Sequence, residues 1–171
     1  MGRRGGRPGR ASGPRTEGER AVDGLREDHA QISEVLIRYA TGIDQRDWTL
    51  FRTCWTDDVE ADYGLRLSGA DAITDYMTAA HRDMGDTRHQ LSNLVIDVAG
   101  DRATARSYVH AVLMIRPDDP NAFIDVIGSY DDVLVRTADG WRISRRAFHL
   151  VRMLTTGGSP DWEAPLRSLR S

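Results

Sequence analysis

Apolar side chains recur at helical spacing in the first part of the chain. A stripe at positions i, i+3, i+4, i+7 and i+11 is formed by Ile32, Val35, Leu36, Tyr39 and Ile43. Such a stripe is typical of a helix that buries one face. It predicts a first helix from Glu19 to Thr41, ended by Gly42. A short second helix is predicted from Trp48 to Cys54, and a third one opens at Ser68-Gly69 and ends before Gly85.

The second half of the chain changes to an alternation with a period of two, which is the pattern of half-buried strands. The predicted strands are Val59–Tyr63, Arg88–Val98, Ala103–Ile115, Phe123–Val135 and Trp141–Leu154. Short turns at Gly100-Asp101 and Ala138-Asp139-Gly140 join neighbouring long strands as hairpins. Strict alternation puts His89 and Asn93 on one face of the first long strand and Leu94 on the other.

Helices followed by long strands in hairpins predict an α+β domain. We expect a curved, mainly antiparallel sheet with three helices packed on its concave face. Strands of this length in so small a sheet must bend, and a bent sheet that helices close off leaves a cone with a pocket inside.

The two ends of the chain differ from this domain, which we place at residues 21–156. Residues 1–20 contain six arginines and six glycines with almost nothing apolar, so they are predicted to be disordered. This tail is either a basic arm for a polyanion or an inert extension, and we do not expect a secretory signal because it lacks an apolar core region. Residues 157–171 form a C-terminal tail.

The composition excludes several kinds of chemistry. All 23 basic residues are arginine, so neither a Schiff base on lysine nor a P-loop lysine is available. A net charge of −3 does not favour nucleic acid as a partner, and no apolar run approaches the ~18 residues of a membrane span. The single cysteine, Cys54, has no disulfide partner, and its apolar surroundings favour inert packing over a nucleophilic role. We expect a cytoplasmic protein.

Two polar groups near the end of the first helix lack an obvious structural task. Tyr39 is the only member of the apolar stripe with a polar end, so its hydroxyl must find a partner or reach a cavity. Asp44 could cap the second helix, but Asp47 stands immediately before Trp48 and is the better N-cap. Asp44 is therefore a candidate functional residue.

Four motifs follow one another along the chain. They are the helical Tyr-x4-Asp-x2-Asp-Trp, the Thr56-Asp57-Asp58-Val59 that leads into a strand, Thr87-Arg88-His89, and Asp139-Gly140-Trp141-Arg142-Ile143. Together they resemble the SnoaL-like branch of the nuclear transport factor 2 (NTF2-like) superfamily, and especially the scytalone dehydratase, bile-acid 7α-dehydratase and lindane dehydrochlorinase group. The resemblance covers roughly residues 25–155 and implies an NTF2-like cone. It does not define one reaction, because this fold hosts many activities.

The resemblance also implies a set of catalytic residues. The Asp–His dyad of the group falls on Asp44 and His89, and the helical tyrosine of the bile-acid dehydratase falls on Tyr39. A second histidine, as in scytalone dehydratase, falls on His110, and the strand tyrosine of that enzyme falls on Tyr63. Further contacts with a substrate are expected from Trp48, Asn93 and Ser129.

An arginine on the last strand, present in the bile-acid and dehydrochlorinase enzymes, falls on Arg146 or on its neighbour Arg145. Alternation puts Arg145 on the face of Trp141 and Ile143, so Arg145 points into the cone unless a bulge intervenes. The family's spacing from the tryptophan favours Arg146. A buried arginine needs an anion or a developing negative charge, so whichever of the two points inward is a candidate catalytic residue.

These residues suit proton abstraction. A histidine with a pKa near its unperturbed value of ~6.5 is the best general base at neutral pH. A carboxylate on its other nitrogen fixes the tautomer and stabilises the imidazolium. We therefore predict a cofactor-independent lyase, a dehydratase or an isomerase, acting on a hydrophobic cyclic substrate that is polyketide-like or steroid-like. Scytalone dehydratase has a tyrosine next to the catalytic aspartate, and Ile43 in that position argues against its particular substrate.

Other readings stay open at this stage. No cofactor is implied, and a metal is not expected because no His-x-His, His-x-x-x-His or cysteine pair occurs. His81 and His149 have no motif around them and are interpreted as structural or exposed. A non-catalytic binding or assembly module, like the β subunit of ring-hydroxylating dioxygenases, or a small-ligand carrier is the alternative. In either case the broad sheet face predicts a homo-oligomer, a trimer or a dimer.

Overall fold

The computed structural model describes residues 16–157. The helices are α1 (Glu17–Gln45), α2 (Trp48–Arg52) and α3 (Ala70–Ala80). The strands are β1 (Trp55–Asp62), β2 (Arg66–Ser68), β3 (Thr87–Ala99), β4 (Arg102–Met114), β5 (Phe123–Thr137) and β6 (Gly140–Thr155). The predicted α+β class is confirmed. The sequence pattern missed β2, because three residues are too few for a period-two signal.

The first helix begins earlier than predicted. Thr16 is its N-cap, and the Thr16 hydroxyl and the Glu19 carboxylate each bond the other residue's backbone N–H. This capping box is readable as Thr-x-x-Glu. Residues 17–20, predicted to be disordered, are therefore helical. The remaining predictions for the two tails fall on residues 1–15 and 158–171, outside the described part of the chain.

The first helix also ends later than predicted, because Gly42 does not break it. A Cβ built on Gly42 would lie 2.9 Å from the Cβ of Phe51 and 3.0 Å from its backbone N. Glycine therefore lets α1 and α2 approach closely. The helix instead ends at Arg46, which adopts a left-handed conformation with φ 57°. Asp44 consequently lies in the last turn of α1, and Asp47 caps α2 as predicted, accepting a hydrogen bond from the Leu50 backbone N–H at 2.8 Å.

The six strands form one sheet in the order β2-β1-β6-β5-β4-β3. Neighbouring strands are antiparallel except β1 and β6, which run parallel. The prediction of a mainly antiparallel curved sheet is confirmed. Helix α1 packs against β3 and β6, and α3 packs against β1. The helices therefore cover the concave face, and the core lies between them and the sheet.

A bulge in β3 overturns the strict alternation expected for that strand. The pairing of β3 with β4 shifts between Ser92 and Val95, and Asn93 adopts a positive φ of 51°. Because the bulge adds a residue, Leu91 and Leu94 both lie half-buried on the core side. Asn93 itself is exposed. Its predicted contact with a substrate is wrong, and an asparagine suits this position because it tolerates left-handed backbone.

The outer face of the sheet keeps several large apolar side chains in solvent. Tyr108 lies on the outer face of β4 with 53% of its surface exposed. The other exposed apolar side chains on or beside this face are Val95, Val151 and Leu154. We call these four residues the outer apolar patch.

Replacing Gly42 by alanine tests the close approach of α1 and α2. The added Cβ meets backbone atoms of Phe51, which cannot move aside cheaply, so Gly42→Ala should lower the free energy of unfolding by about 1–3 kcal/mol. Gly24 lies in the same helix with nothing within 4 Å of its built Cβ, and Gly24→Ala should raise that free energy by roughly 0.5–1 kcal/mol. Chemical denaturation of both variants measures the difference. Equal effects would contradict this account of Gly42.

Candidate active site

A hydrogen-bonded pair forms where the end of α1 meets the start of β3. The Nδ1 of His89 lies 2.7 Å from Oδ1 of Asp44, and the backbone N–H of His89 donates to Oδ2 at 2.9 Å. The hydroxyl of Thr87 donates to Oδ1 at 3.0 Å. The structure therefore brings together the two residues that the resemblance implied as a dyad, and both side chains are largely buried.

The arrangement fixes the tautomer of His89. Because a carboxylate can only accept, Nδ1 carries the proton and donates it to Asp44, which leaves the Nε2 lone pair free. Burial raises the pKa of Asp44, but the hydrogen bonds and charge of His89 and the hydroxyl of Thr87 outweigh this effect, and the net shift is downward. Asp44 is therefore ionised at neutral pH.

Arg46 holds the two elements of the dyad in register. Its guanidinium donates to the carbonyl of Ile43 at 2.7 Å and to the carbonyl of Gly85 at 2.8 Å. It also donates to the hydroxyl of Thr87 at 2.8 Å, the same hydroxyl that bonds Asp44. Sequence reasoning missed this residue, because nothing in its neighbourhood indicates that the helix ends in a left-handed turn there.

An apolar cavity of about 80 Å³ lies next to His89, partly open to solvent. Its aliphatic and phenyl lining comes from Ile43, Met77, Ala80, Val109, Ala111, Leu113, Val126 and Phe148. Its polar lining comes from His81, His89, Tyr39, Tyr63, Tyr76 and Tyr130. A mostly apolar hollow with a few polar groups is the usual character of a small-molecule site.

Three tyrosine hydroxyls meet at one side of this cavity. The hydroxyl of Tyr63 lies 3.2 Å from that of Tyr39, which lies 3.4 Å from that of Tyr130. Burial raises the pKa of each phenol by more than nearby Arg146 lowers it, so all three are neutral. The three hydroxyl groups carry three O–H protons but make only two hydrogen bonds with one another. One O–H is therefore available to donate to a bound molecule. Tyr39 and Tyr63 were predicted site residues, whereas Tyr130 was not.

Arg146 lies behind these tyrosines and is fully buried. Its guanidinium makes a bidentate pair with Asp132, with Nε–Oδ1 at 2.7 Å and Nη2–Oδ2 at 2.8 Å. The guanidinium carbon stands 4.0 Å from the ring centroid of Tyr39 and 4.1 Å from that of Tyr130. These are cation–π contacts. Arg146 thus acts on the cavity through the tyrosines and does not line it.

The charges of the Arg146–Asp132 pair depend on each other. Burial lowers the pKa of Arg146, but the Asp132 carboxylate outweighs this effect and keeps it well above its ordinary value. Burial raises the pKa of Asp132, and Arg146 opposes that shift. Two short bonds to a guanidinium, which is always charged, require the ionised carboxylate. Among the residues that the structure describes, the Nη1 of Arg146 has no hydrogen-bond partner.

Arg145, the other arginine candidate, points away from the cavity. The pairing of β5 with β6 shifts so that Leu134 pairs with Ile143 and Val133 with Arg145. This bulge reverses the alternation, so Ile143 and Arg146 are both buried and Arg145 is exposed. The prediction of Arg145 as a catalytic residue is wrong. Of the two candidate arginines, Arg146 is the one whose side chain points into the domain.

Two further predicted residues lie on the outer face of the sheet. The His110 side chain is 46% exposed and stands 3.4 Å from Asp125, while its neighbours Val109 and Ala111 line the cavity. Ser129 is buried but pairs with His149 on the outer side, whereas the next residue, Tyr130, points inward. The predicted roles of His110 and Ser129 at the site are wrong, because the strand alternation directs their side chains outward.

Trp48 lies outside the cavity lining, behind His81. Their ring centroids are 6.0 Å apart. The predicted contact of Trp48 with a substrate is therefore wrong. The ring of Trp48 packs against His81, which lines the cavity.

His81, interpreted from the sequence as structural or exposed, lines the cavity at the end of α3. Its Nδ1 lies 2.8 Å from the carbonyl of Met77. Burial lowers the pKa of His81 to about 4, against the opposing effect of that carbonyl, so this imidazole is neutral. The sequence signal that could have found it is its place one residue beyond a helix whose Met77 and Ala80 face the core.

The remaining candidates take no part in the site. His149 is exposed and stands 3.0 Å from Asp131. Burial raises the pKa of the Cys54 thiol to about 12, so it stays protonated. Within residues 16–157 no three His, Cys, Asp or Glu side chains are close enough to hold a metal, and no helix in that range is long and apolar enough to cross a membrane.

A curved sheet closed by helices around an apolar cavity is the NTF2-like architecture that the resemblance implied. The sequence profile of SnoaL-like domains matches residues 25–147. The chain belongs to the SnoaL-like family, as its motifs predicted.

Three similar proteins illustrate the range of relatives. An uncharacterized protein of Mycobacterium tuberculosis is 31% identical over 123 residues, which cover 70% of this chain and 82% of the relative. A Novosphingobium aromaticivorans protein provisionally assigned as a scytalone dehydratase has a TM-score of 0.72 at 21% identity, covering 81% of this chain and 93% of that one. Hexachlorocyclohexane dehydrochlorinase LinA-type3 of Novosphingobium barchaimii has a TM-score of 0.67 at 20% identity. The match covers 81% of this chain and 96% of the dehydrochlorinase. At these identities the two structures show the shared fold alone.

Replacing Arg146 by methionine tests whether the buried ion pair holds the site together. Arg146→Met leaves the Asp132 carboxylate buried without its partner, which should lower the free energy of unfolding by about 3–5 kcal/mol. Arg145→Met changes the neighbouring exposed arginine and should stay within roughly 0.5 kcal/mol of the parent. Urea denaturation of both variants measures the contrast. An Arg146→Met variant as stable as the parent would contradict the proposed importance of this pair.

Proposed function

We propose that this protein is a cofactor-independent lyase, a dehydratase or an isomerase, that removes a proton from a hydrophobic cyclic substrate. The observation that carries the proposal is the contact between Asp44 and His89 at the edge of an apolar cavity. An imidazole whose Nδ1 donates to an ionised carboxylate presents a basic Nε2 to whatever enters the cavity.

For dehydration, the proposed steps use the residues around the cavity alone. The Nε2 of His89 takes a proton from a carbon next to a carbonyl group, and Asp44 stabilises the imidazolium that forms. The electron pair of the broken C–H bond forms a carbon–carbon double bond as the C–O bond to the hydroxyl group breaks. The imidazolium returns its proton to the departing hydroxide, so that water leaves and His89 is neutral again. In an isomerase the same proton returns to a different carbon.

The tyrosine cluster supplies the electrophilic assistance. Removal of a proton next to a carbonyl group places negative charge on the carbonyl oxygen, and a donor aimed at that oxygen lowers the barrier. The hydroxyl of Tyr63 donates to that of Tyr39, so the uncommitted O–H belongs to Tyr39 or Tyr130 and is such a donor. Arg146 and its contacts with the faces of Tyr39 and Tyr130 place a positive charge next to these phenols, which favours the charge that develops.

The volume of the cavity limits the size of the substrate. Its volume of about 80 Å³ is roughly half of the ~150 Å³ in which an engineered protein cavity binds benzene. Because the cavity is partly open, one small ring, or the reacting edge of a larger molecule, can enter it without being completely enclosed. A steroid-like or polyketide-like substrate would therefore place most of its rings outside the opening.

Two proteins that share the fold are named for elimination reactions. One is provisionally assigned as a dehydratase and another is named a dehydrochlorinase, and both names denote the removal of a proton and a leaving group. The alternative, a non-catalytic assembly module, needs neither the Asp44–His89 bond nor a cavity beside it, so the geometry favours catalysis.

Replacing His89 by alanine tests the proposed base. The assay follows the dehydration of single-ring β-hydroxy ketones, such as 3-hydroxycyclohexanone, by the absorbance of the enone. His89→Ala should lower kcat/KM by about 10²- to 10⁴-fold, and Asp44→Asn should also lower it, because the carboxylate no longer stabilises the imidazolium. His149→Ala changes an exposed histidine and should leave the rate unchanged. A His89→Ala variant with undiminished activity would remove the base from the mechanism.

We also propose that the protein is a homo-oligomer that buries the outer apolar patch, as a dimer or a trimer. Light scattering should then give a multiple of 19.1 kDa. Tyr108→Glu places a charge on the outer face of β4 and should shift the mass towards one subunit. Val22→Glu changes a residue of α1 with a similar exposure of 51% and should not. A parent protein of 19.1 kDa in solution would contradict this proposal.

A further inference from the structure

His81 is the one imidazole of the cavity lining that the proposed mechanism does not use. Its ring is buried, it follows the last turn of α3, and it packs against Trp48, which does not line the cavity. A buried polar ring in a mostly apolar cavity is costly to keep unless its nitrogen atoms have partners.

Only one of the two ring nitrogens of His81 has such a partner. The Nδ1 lies 2.8 Å from the carbonyl oxygen of Met77, and because a carbonyl can only accept, Nδ1 must carry the proton. Nε2 is then unprotonated and can only accept. Within residues 16–157 no hydrogen bond to this nitrogen is made, and it is not among the fully enclosed polar atoms without a partner. Its free position therefore lies on the accessible side of the ring.

The two histidines of the cavity are chemically different. His89 donates its Nδ1 proton to an ionised carboxylate, which stabilises positive charge on the ring during proton transfer. The Nδ1 of His81 faces a neutral backbone carbonyl instead. Burial lowers the pKa of His81 to about 4, so this ring stays neutral at physiological pH. His81 is thus suited to accept a hydrogen bond from a ligand and not to act as a base.

We propose that His81 binds a hydroxyl group of the substrate through Nε2. The cavity would then orient a small hydroxylated ring between an acceptor at His81 and a donor at the tyrosine cluster, with His89 beside the ring. This inference rests on the proposed function for the identity of the site, and it adds the requirement that the substrate carries a hydroxyl donor. A ring without such a donor would leave Nε2 buried and unpaired. An unpaired buried polar group is the usual reason why a site strongly prefers a ligand with the matching group over one that lacks it.

The test measures binding without turnover, with phenol and anisole as probes. Phenol can donate and accept a hydrogen bond, whereas anisole can only accept. In the parent protein with ¹⁵N-labelled histidine, the signal of the unprotonated Nε2 of His81 should shift when phenol is added and stay in place with anisole. A signal that is equally insensitive to both ligands, or equally sensitive to both, would overturn the proposal.

Two variants distinguish the contribution of the acceptor, His81, from that of the donor in the tyrosine cluster. His81→Phe keeps an aromatic ring against Trp48 but removes the acceptor, so the ratio of phenol affinity to anisole affinity should fall by about threefold to tenfold. Tyr130→Phe removes a donor that serves both ligands, so it should weaken both and leave their ratio unchanged. An unchanged ratio in a folded His81→Phe variant would overturn the proposal, and the ¹⁵N measurement on the parent decides the matter if that variant does not fold.

The same experiments distinguish this inference from the proposed function. If His89→Ala retains turnover while phenol still shifts the His81 signal, the mechanism is wrong and the binding site stands. If turnover depends on His89 while His81 shows no response to a hydroxyl, the mechanism stands and the inference is wrong.

Discussion

The carboxylate of Asp44 ties the last turn of α1 to the first residues of β3, and the site depends on this junction. It accepts three hydrogen bonds, from the hydroxyl of Thr87 and from the backbone and the ring of His89. A carboxylate at a helix C-terminus is opposed by the helix dipole, so these donors are needed to keep it there. Arg46 completes the junction by binding the end of the helix and the chain just before β3. The same contacts that join helix to sheet therefore also orient the imidazole.

A second buried charge supports the opposite side of the cavity. Arg146 and Asp132 neutralise each other, and the guanidinium spreads its charge over the faces of Tyr39 and Tyr130. The tyrosine hydroxyls, in turn, contact one another and connect α1, the residue that follows β1, and β5. The polar groups that the proposed mechanism uses thus reach the cavity in two sets, the Asp44–His89 pair and the tyrosine hydroxyls.

The sequence predicted the fold well, since long strands with alternating burial and a helix with a regular apolar stripe carry strong periodic signals. It also predicted that Asp44 and His89 would meet, through the resemblance of the motifs that carry them. Two of the failures have a common physical cause. One-residue bulges in β3 and β6 reverse the alternation, so that Asn93 and Arg145 face outward, and no residue type in those strands announces a bulge.

Other misses concern the direction of side chains on regular strands. Ser129 and His110 are predicted site residues, but alternation with the inward-facing Val126 and Val109 directs both of them outward. His81 and Arg46 could not be found by periodicity, because both act from the irregular ends of helices, where the backbone direction is set by tertiary contacts.

The choice of arginine for the buried cation sets how the cavity responds to its surroundings. A guanidinium does not lose its proton at any pH a cell experiences, whereas a lysine buried as deeply would readily become neutral. The guanidinium beneath the phenols therefore keeps its charge in the folded chain, whatever the acidity of the medium.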